Sequence, residues 1–321
     1  MRKFFITLIV FAIVSSCGEN DGSVTLVGST GKINLLTIVI DNDLWNGSVG
    51  DSLRGIIASP VLGLPQEETQ FSVTQIPPKV FGSFLKPSRN ILVVGINAKE
   101  GYRVKTDVYA SPQIIMTISG KNKTSVLQQI NTHKKDIVSV FKKGDLEVYQ
   151  KKLAEDIWDV QKIKTLSKLG ITLKIPKTYA LVDDTGDFLW FRKEVSKGSM
   201  NLIAYSFPLV AIDSISNTIT KRRNAIGEKH IPGTLEGMHM ITELAFSPFV
   251  KKIQLDAKPA FESKGMWEMK NDFMAGPFLN YTIVDKANKR LIIVEGFTFS
   301  PNVKKRDYMF ALEAILKSVK I

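Results

Sequence analysis

The residues closest in type and spacing to a hydrolytic site are four carboxylates. Asp41 and Asp43 end an apolar run, LLTIVI, just ahead of Trp45, and Glu67 and Glu68 follow Pro65 in GLPQEE. Glycoside hydrolysis needs two carboxyl groups roughly 5–10 Å apart, and a neighbouring aromatic ring can stack a sugar. Asp43, Glu67 and Glu68 are therefore candidate acid and base residues, against the ordinary reading of acids at strand ends and turns. A second group is cationic: Lys221, Arg222, Arg223, Lys229 and His230. Guanidinium groups bind phosphate or carboxylate in a two-pronged fashion, but cations near a helix C-terminus also simply answer its dipole. Arg222 stands three residues after Ile219 and four before Ile226, so it borders a buried face and calls for an acidic partner. The third group is Trp267 with Asp272, Phe273, Met274 and Phe278 around a Gly276-Pro277 turn. Exposed, these would grip an apolar partner or a membrane surface; tucked under a sheet, they are a loop core.

Other chemistry lacks its residues. There is no H-E-x-x-H, and the three histidines, His133, His230 and His239, are scattered. His133 reads as a packed or rim histidine. G-x-S-x-G is missing, and the Ser-x-x-Lys spacings at Ser29, Ser83 and Ser139 have no K-T-G beside them. VGSTGK is not a phosphate loop, because Leu26 and Ile33 stand where glycine and a hydroxyl residue are needed. No metal and no cofactor is expected.

Cys17 is the sole cysteine of 321 residues. Arg2 and Lys3 precede an apolar stretch, Phe4–Val14, which leads through Ser15 and Ser16 to Cys17: the layout of a secretory signal. The stretch is too short for a bilayer, which takes about twenty residues. VSSC resembles a bacterial lipobox, in which cleavage precedes the cysteine and that residue is acylated. Cys17 is thus the expected lipidation site, and several acyl chains on one residue anchor far better than one. No thiol remains for disulfides, thiolate catalysis or thiolate metal binding.

The elements that must position these residues follow from pattern and punctuation. Residues 1–16 read as the signal peptide and 17–32 as the acylated cysteine with its linker. Residues 33–120 read as an α/β subdomain. LLTIVI and NILVVGI are strands buried on both faces, SVGDSLRGIIAS is a helix, and FSVTQI is a strand stopped by Pro77 and Pro78. Tyr102–Tyr109 and Ile114–Ser119 form a hairpin around Ser111-Pro112. Residues 121–169 read as a helical connector. Val126, Ile130, Ile137 and Phe141 share a face, Gly144 breaks the run, and Leu153 to Leu166 mark a second amphipathic helix ended by Gly170. Residues 171–321 read as an α+β subdomain. ITLKIP, GDFLWFRKE and MNLIAYSF are strands, a helix follows whose cap is Asp213 or Ser214, then comes a run of antiparallel strands and a closing amphipathic helix. The fold class is α+β: mainly antiparallel sheets packed with helices, in two subdomains joined by a helical segment.

The composition is that of a globular protein, 44% hydrophobic and 23% charged, with a net charge of +12 that falls to +10 once Arg2 and Lys3 are removed. Such a charge suits anionic lipid or polysaccharide and also serves plain solubility.

The pieces IDNDLWNG, GLPQEE, RNILVV, GDFLWFRKE, RRNAIGEKHIPG, WEMKNDFMAGPF and KRDYMFALEAILKS together resemble a family of Bacteroidota lipoproteins known only as a domain of unknown function. The element order of 171–321 is also similar to PsbP-type domains. The resemblance implies location rather than activity: with the lipobox, a lipid-anchored envelope protein at the outer membrane. The periplasmic face is the expectation from GENDG, whose two acids are split by Asn20, and binding or scaffolding is the first reading of its role. The expected partners are the membrane, through the anchor, and an envelope protein or anionic envelope polymer; nucleic acid is not expected. The alternative is an envelope or polysaccharide hydrolase using the paired carboxylates.

Overall fold

Leu36, Ile38, Val39 and Ile40 are all buried, so the first long strand carries apolar side chains on both faces and needs cover on both. The computed structural model describes residues 25–211, 214–243 and 245–321. Cys17 with its signal, and Asp213 as a helix cap, lie outside the described residues.

The first elements in chain order are β1 (Val27–Gly28), β2 (Leu35–Val39), α1 (Asn42–Trp45), α2 (Ser48–Ile57), β3 (Ser72–Ile76), β4 (Asn90–Ile96), β5 (Gly101–Thr106), β6 (Ala110–Ser111), β7 (Ile114–Gly120), α3 (Lys123–Thr132), α4 (Lys134–Leu153) and α5 (Lys164–Leu169). Five strands form a sheet in the order β3-β2-β4-β7-β5. β3, β2, β4 and β7 run parallel, and β5 is antiparallel to β7, which closes the expected hairpin. Leu53 of α2, Val126 and Ile130 of α3, and Ile137 and Phe141 of α4 cover one face. Phe81, from the loop after β3, packs with Val39, Ile91 and Ile115 on the other.

The second set is β8 (Ala180–Asp184), β9 (Phe188–Val195), β10 (Gly198–Pro208), α6 (Ile215–His230), β11 (Met240–Thr242), β12 (Phe249–Leu255), β13 (Lys258–Met269), β14 (Ala275–Asp285), β15 (Arg290–Phe299) and α7 (Arg306–Leu316). Here the sheet is antiparallel throughout, in the order β11-β13-β14-β15-β10-β9-β8, with β12 also paired to β13. It too is covered on both faces. Leu279, Tyr281 and Ile283 of β14 meet Leu312, Ile315 and Leu316 of α7. Phe278 and Val284, the alternate positions, meet Ile215, Ile219 and Ile226 of α6. The period-two alternation of a strand thus sends apolar groups to two different helices. The molecule is an α+β protein.

Three local expectations change. Gly144 does not break the helix: α4 runs 20 residues, from Lys134 to Leu153. A Cβ at Gly144 would collide with the end of the Ile114 side chain, so the glycine lets α4 lie close on the parallel sheet. The helix interruption falls at His133, which ends α3, begins α4 and stacks on Tyr102 at 3.9 Å between ring centroids. Second, Leu153 to Leu166 is no continuous helix. Only Lys164–Leu169 is α-helical there, and it ends as expected on Gly170 at φ +62°. Third, ITLKIP is not a strand of either sheet; it crosses beside the C-terminus, with isolated bridges from Thr172 to Lys320 and from Pro176 to Ile157. In all three cases long-range packing overrides the local pattern.

α4 touches both cores: Ile137 and Phe141 belong to the first, and Leu146, Tyr149 and Leu153 to the second. Gly227 of α6 marks a similarly close contact, since a Cβ there would run into the backbone carbonyl of Met240 on β11. Helix propensity alone favours Ala over Gly by about 1 kcal/mol. Gly227→Ala is nevertheless expected to lower stability, by roughly 1–3 kcal/mol, because the obstacle is main chain and cannot rotate away. Urea unfolding monitored by tryptophan fluorescence checks this.

Candidate functional site

The structure separates the four carboxylates. Asp41 and Asp43 are exposed beyond the C-terminal end of β2. Glu68 is buried at the opposite end, where its two oxygens accept the backbone N–H groups of Lys305 (2.6 Å) and Arg306 (3.1 Å) at the start of α7. The five residues of β2, at about 3.3 Å each, put roughly 17 Å between these positions. Glu67 beside it is exposed. The ring of Trp45 is already covered by the Arg54 guanidinium at 4.7 Å. A paired-carboxylate cleft built from Asp43, Glu67 and Glu68 is not formed. The negative charge of Glu68 serves the free N–H groups and positive dipole end of a helix instead.

The cationic group also resolves differently. Arg223, not Arg222, is the buried arginine: it is 1% exposed and pairs through Nε with Glu295 at 2.9 Å. It also donates to Thr242 Oγ1 (3.2 Å) and lies over the Phe278 ring at 4.1 Å. Asn280 donates to the other Glu295 oxygen at 2.8 Å. Burial raises the Glu295 carboxyl above its ordinary range, against the pull of Arg223 and Asn280. Arg222 lies over Phe207 at 5.1 Å and donates to the Pro208 carbonyl. Four residues from Ile219 and three from Ile226 fit the helical face as well as three and four do; the strand opposite decides between them.

Of the third group, Trp267 and Phe278 are buried, and Trp267 Nε1 donates to the Thr298 carbonyl at 3.2 Å. Met274 is half-buried and, with Trp190, Trp267 and Phe299, lines a cavity of about 280 Å³. The turn is not at Gly276-Pro277, which pair with Trp267 and Met266 inside β14; it lies just before, where the Asp272 N–H donates to the Met269 carbonyl at 3.0 Å and Asp272 accepts from the Phe273 N–H. Phe273 alone is fully exposed. Phe278 is thus packed as a strand residue of β14, Met274 is partly covered in the loop before it, and Phe273 points to solvent.

The arrangement with most chemical content lies elsewhere, where α4, α7, β13 and the loop 61–70 converge. They enclose a cavity of about 440 Å³. Leu64, Leu146, Leu279, Met309 and Phe310 supply its apolar wall; Lys142, Lys143, Lys264, Arg306 and Lys317 supply five cations, against one lining carboxylate, Glu313. Lys317 bonds Glu313 at 2.6 Å, Lys264 faces Glu262 at 3.5 Å, and Arg306 holds Asp307 at 2.9 Å. Lys142 instead donates to two neutral oxygens, Asn34 Oδ1 (2.6 Å) and the Gln70 carbonyl (2.7 Å), under the rings of Phe71 and Phe310 at 4.8 and 5.6 Å. Burial, and next the Arg306 charge, push Lys142 down to about 8, against Glu313, Asp145 and Asp307. Burial acts to raise Glu313, but Lys264, Lys317 and Lys142 together hold it below its usual range. Such a site can hold an anion against an apolar surface. No sequence motif announces it, since its residues come from five separate segments; the one local signal is a Lys-Lys pair directly after the buried Phe141.

Among the described residues no three His, Cys, Asp or Glu side chains are grouped so as to hold a metal ion. His230 is stacked on Phe188 at 4.1 Å.

A family model described as a domain of unknown function (DUF4837) matches residues 158–318, half of the chain. The chain belongs to this family. A second model, also described as a domain of unknown function (DUF8532), matches residues 29–154 of the same DUF4837 protein. Among solved structures it is similar to LpqN of Mycobacterium tuberculosis, described as involved in cell envelope biogenesis. The identity is 12%, over 47% of this chain and 82% of that one, with a TM-score of 0.31. It is also similar to a STAR-related lipid transfer protein fragment from Xanthomonas axonopodis, at 8% identity over 44% and 96% of the two chains and a TM-score of 0.22. No curated protein matches the chain.

Glu68→Ala is expected to lower unfolding free energy by roughly 1–3 kcal/mol, because two buried N–H groups lose their acceptor. Glu67→Ala is expected to leave it unchanged. Paired urea titrations check the contrast, and equal effects would place Glu68 outside the role described.

Proposed function

We propose that this DUF4837 protein is a lipid-anchored cell-envelope protein that binds an anionic ligand in the cavity between α4 and α7. The observation that carries the binding role is the excess of lysine and arginine over one carboxylate on an apolar wall. A second basic hollow of about 740 Å³, with Lys162, Lys174, Lys177 and Lys320, adjoins it at Lys317 and draws the same sign of charge. Envelope placement rests on the sequence from Arg2 to Cys17, with the outer membrane and its periplasmic face as the proposed site. No described helix is long and apolar enough to cross a membrane. The family matches at 29–154 and 158–318 support a two-part body behind the anchor. A hydrolytic role has less support, because Asp43 and Glu68 lie at opposite ends of β2.

Two measurements test this reading. In fractionated cells the full chain is expected in the membrane fraction and Cys17→Ser in the soluble fraction; equal partitioning would remove the anchor. Sulfate, whose charge is constant from neutral to mildly alkaline pH, is the probe for the cavity. A lysine that titrates near 8 is charged below that pH and neutral above it. Sulfate affinity measured by calorimetry should therefore fall about three-fold or more as pH rises through 8, and the step should vanish in Lys142→Met. A flat profile in the unaltered protein would overturn the assignment of Lys142.

A further inference from the structure

A second cavity, of about 560 Å³, shares Gly63 and Leu64 with the cationic one. It is lined by Pro65, Phe246, Phe249 and Met266. The partition between the two is thin. Gly63, at φ +79°, lies so close to β13 that a Cβ there would sit 2.9 Å from Lys264 Cβ. Lys264 faces the cationic cavity and Gly265 the apolar one, so a single step along β13 passes from charge to hydrocarbon. The lining of the apolar cavity exposes two large apolar side chains, Phe246 at 71% and Phe249 at 56%; Leu62, 56% exposed, lines the adjoining cationic cavity. Exposing two phenylalanines around one opening costs free energy in water and marks a binding surface. Lys251 and Lys252 follow on β12, exposed beside Phe249.

We infer that the ligand is an anionic amphiphile, a lipid with a phosphate or carboxylate head, whose head group sits in the Lys142–Lys317 cavity and whose acyl chain lies in the Phe246–Phe249 trough. The inference rests on the anion-binding reading above and adds the occupant of the adjoining apolar cavity. Charge complementarity orients the ligand: cations line only one of the two compartments, and the other holds a single ionisable side chain, Glu243. A neutral amphiphile would make no use of the excess of lining cations over the single lining carboxylate. A bare anion would leave the phenylalanine rim open to water. The two compartments together lie within the range of volumes that hold small-molecule ligands.

The test uses the described chain after the cysteine and dodecyl phosphate as probe, below its micelle concentration, with inorganic phosphate and dodecyl maltoside as comparison ligands in calorimetry. Dodecyl phosphate should bind one-to-one and at least roughly ten-fold more tightly than inorganic phosphate, because the chain leaves water. Phe246→Ser with Phe249→Ser, both exposed and so harmless to folding, should erase that advantage and leave phosphate binding unchanged. Lys142→Met should weaken both anionic ligands. Equal affinity for dodecyl phosphate and phosphate, or insensitivity to the paired serine substitutions, would overturn the amphiphile while leaving an anion site. Equal binding of dodecyl maltoside and dodecyl phosphate would overturn the orientation by charge. Failure of every anion to bind would overturn both this inference and the anion site beneath it.

Discussion

The first free N–H groups of α7 meet one carboxylate, Glu68, that comes from 237 residues earlier in the chain. A helix start buried without an acceptor would leave unsatisfied donors in the core, so this contact decides where the second half of the molecule meets the first. Around it the joint is polar and densely hydrogen-bonded. Asn34, fully buried at φ +59°, donates through its side chain to Asp307 and accepts from Lys142, while its backbone N–H is held by Asp145 at 2.7 Å. Asp145 is itself buried and accepts from Asn90 and Arg89 as well. A carboxylate without exposure is tolerable only with such a set of donors. Arg306 completes the joint through the Thr69 carbonyl and the Ser72 hydroxyl.

The cationic cavity exists because of that joint. α4 contributes Lys142 and Lys143 from a helix whose first half belongs to the parallel-sheet core and whose second half reaches the antiparallel-sheet core. α7 contributes Arg306, Glu313 and Lys317 from the helix that Glu68 caps. Lys142 between Phe71 and Phe310 spans the seam, held by cation–ring attraction on both sides. Its lowered proton affinity and its position at the joint have one cause, burial between two layers.

The antiparallel sheet has its own buried polar centre in Arg223 and Glu295. Removing both ions from water is costly, and the return depends on geometry. Here Thr242, Asn280 and the Phe278 face complete the set, so α6 fits the sheet in one rotational setting. Arg222, one residue away, could satisfy none of these partners from its position over Phe207.

Element types were largely legible in the residue pattern. The runs LLTIVI and NILVVGI, the alternation around FLWFRKE, Gly170 as a helix stop and the amphipathic closing helix are local signals, because side-chain periodicity depends only on neighbours along the chain. Gly144 and Leu153–Leu166 were misread, because a glycine and an apolar spacing mean different things beside Ile114 or in a loop crossing another core. The functional residues divide in the same way. By itself the sequence determined the α+β class, the charge balance and the segment ending at Cys17, all properties of composition or of adjacent residues. Only the tertiary structure decided that Glu68 caps a helix instead of facing Asp43, that Arg223 rather than Arg222 is the buried cation, and that Lys142, Lys264, Arg306 and Lys317 face one cavity. Each of those depends on contacts between residues far apart in the chain, and pairings at such separations leave no trace in local spacing.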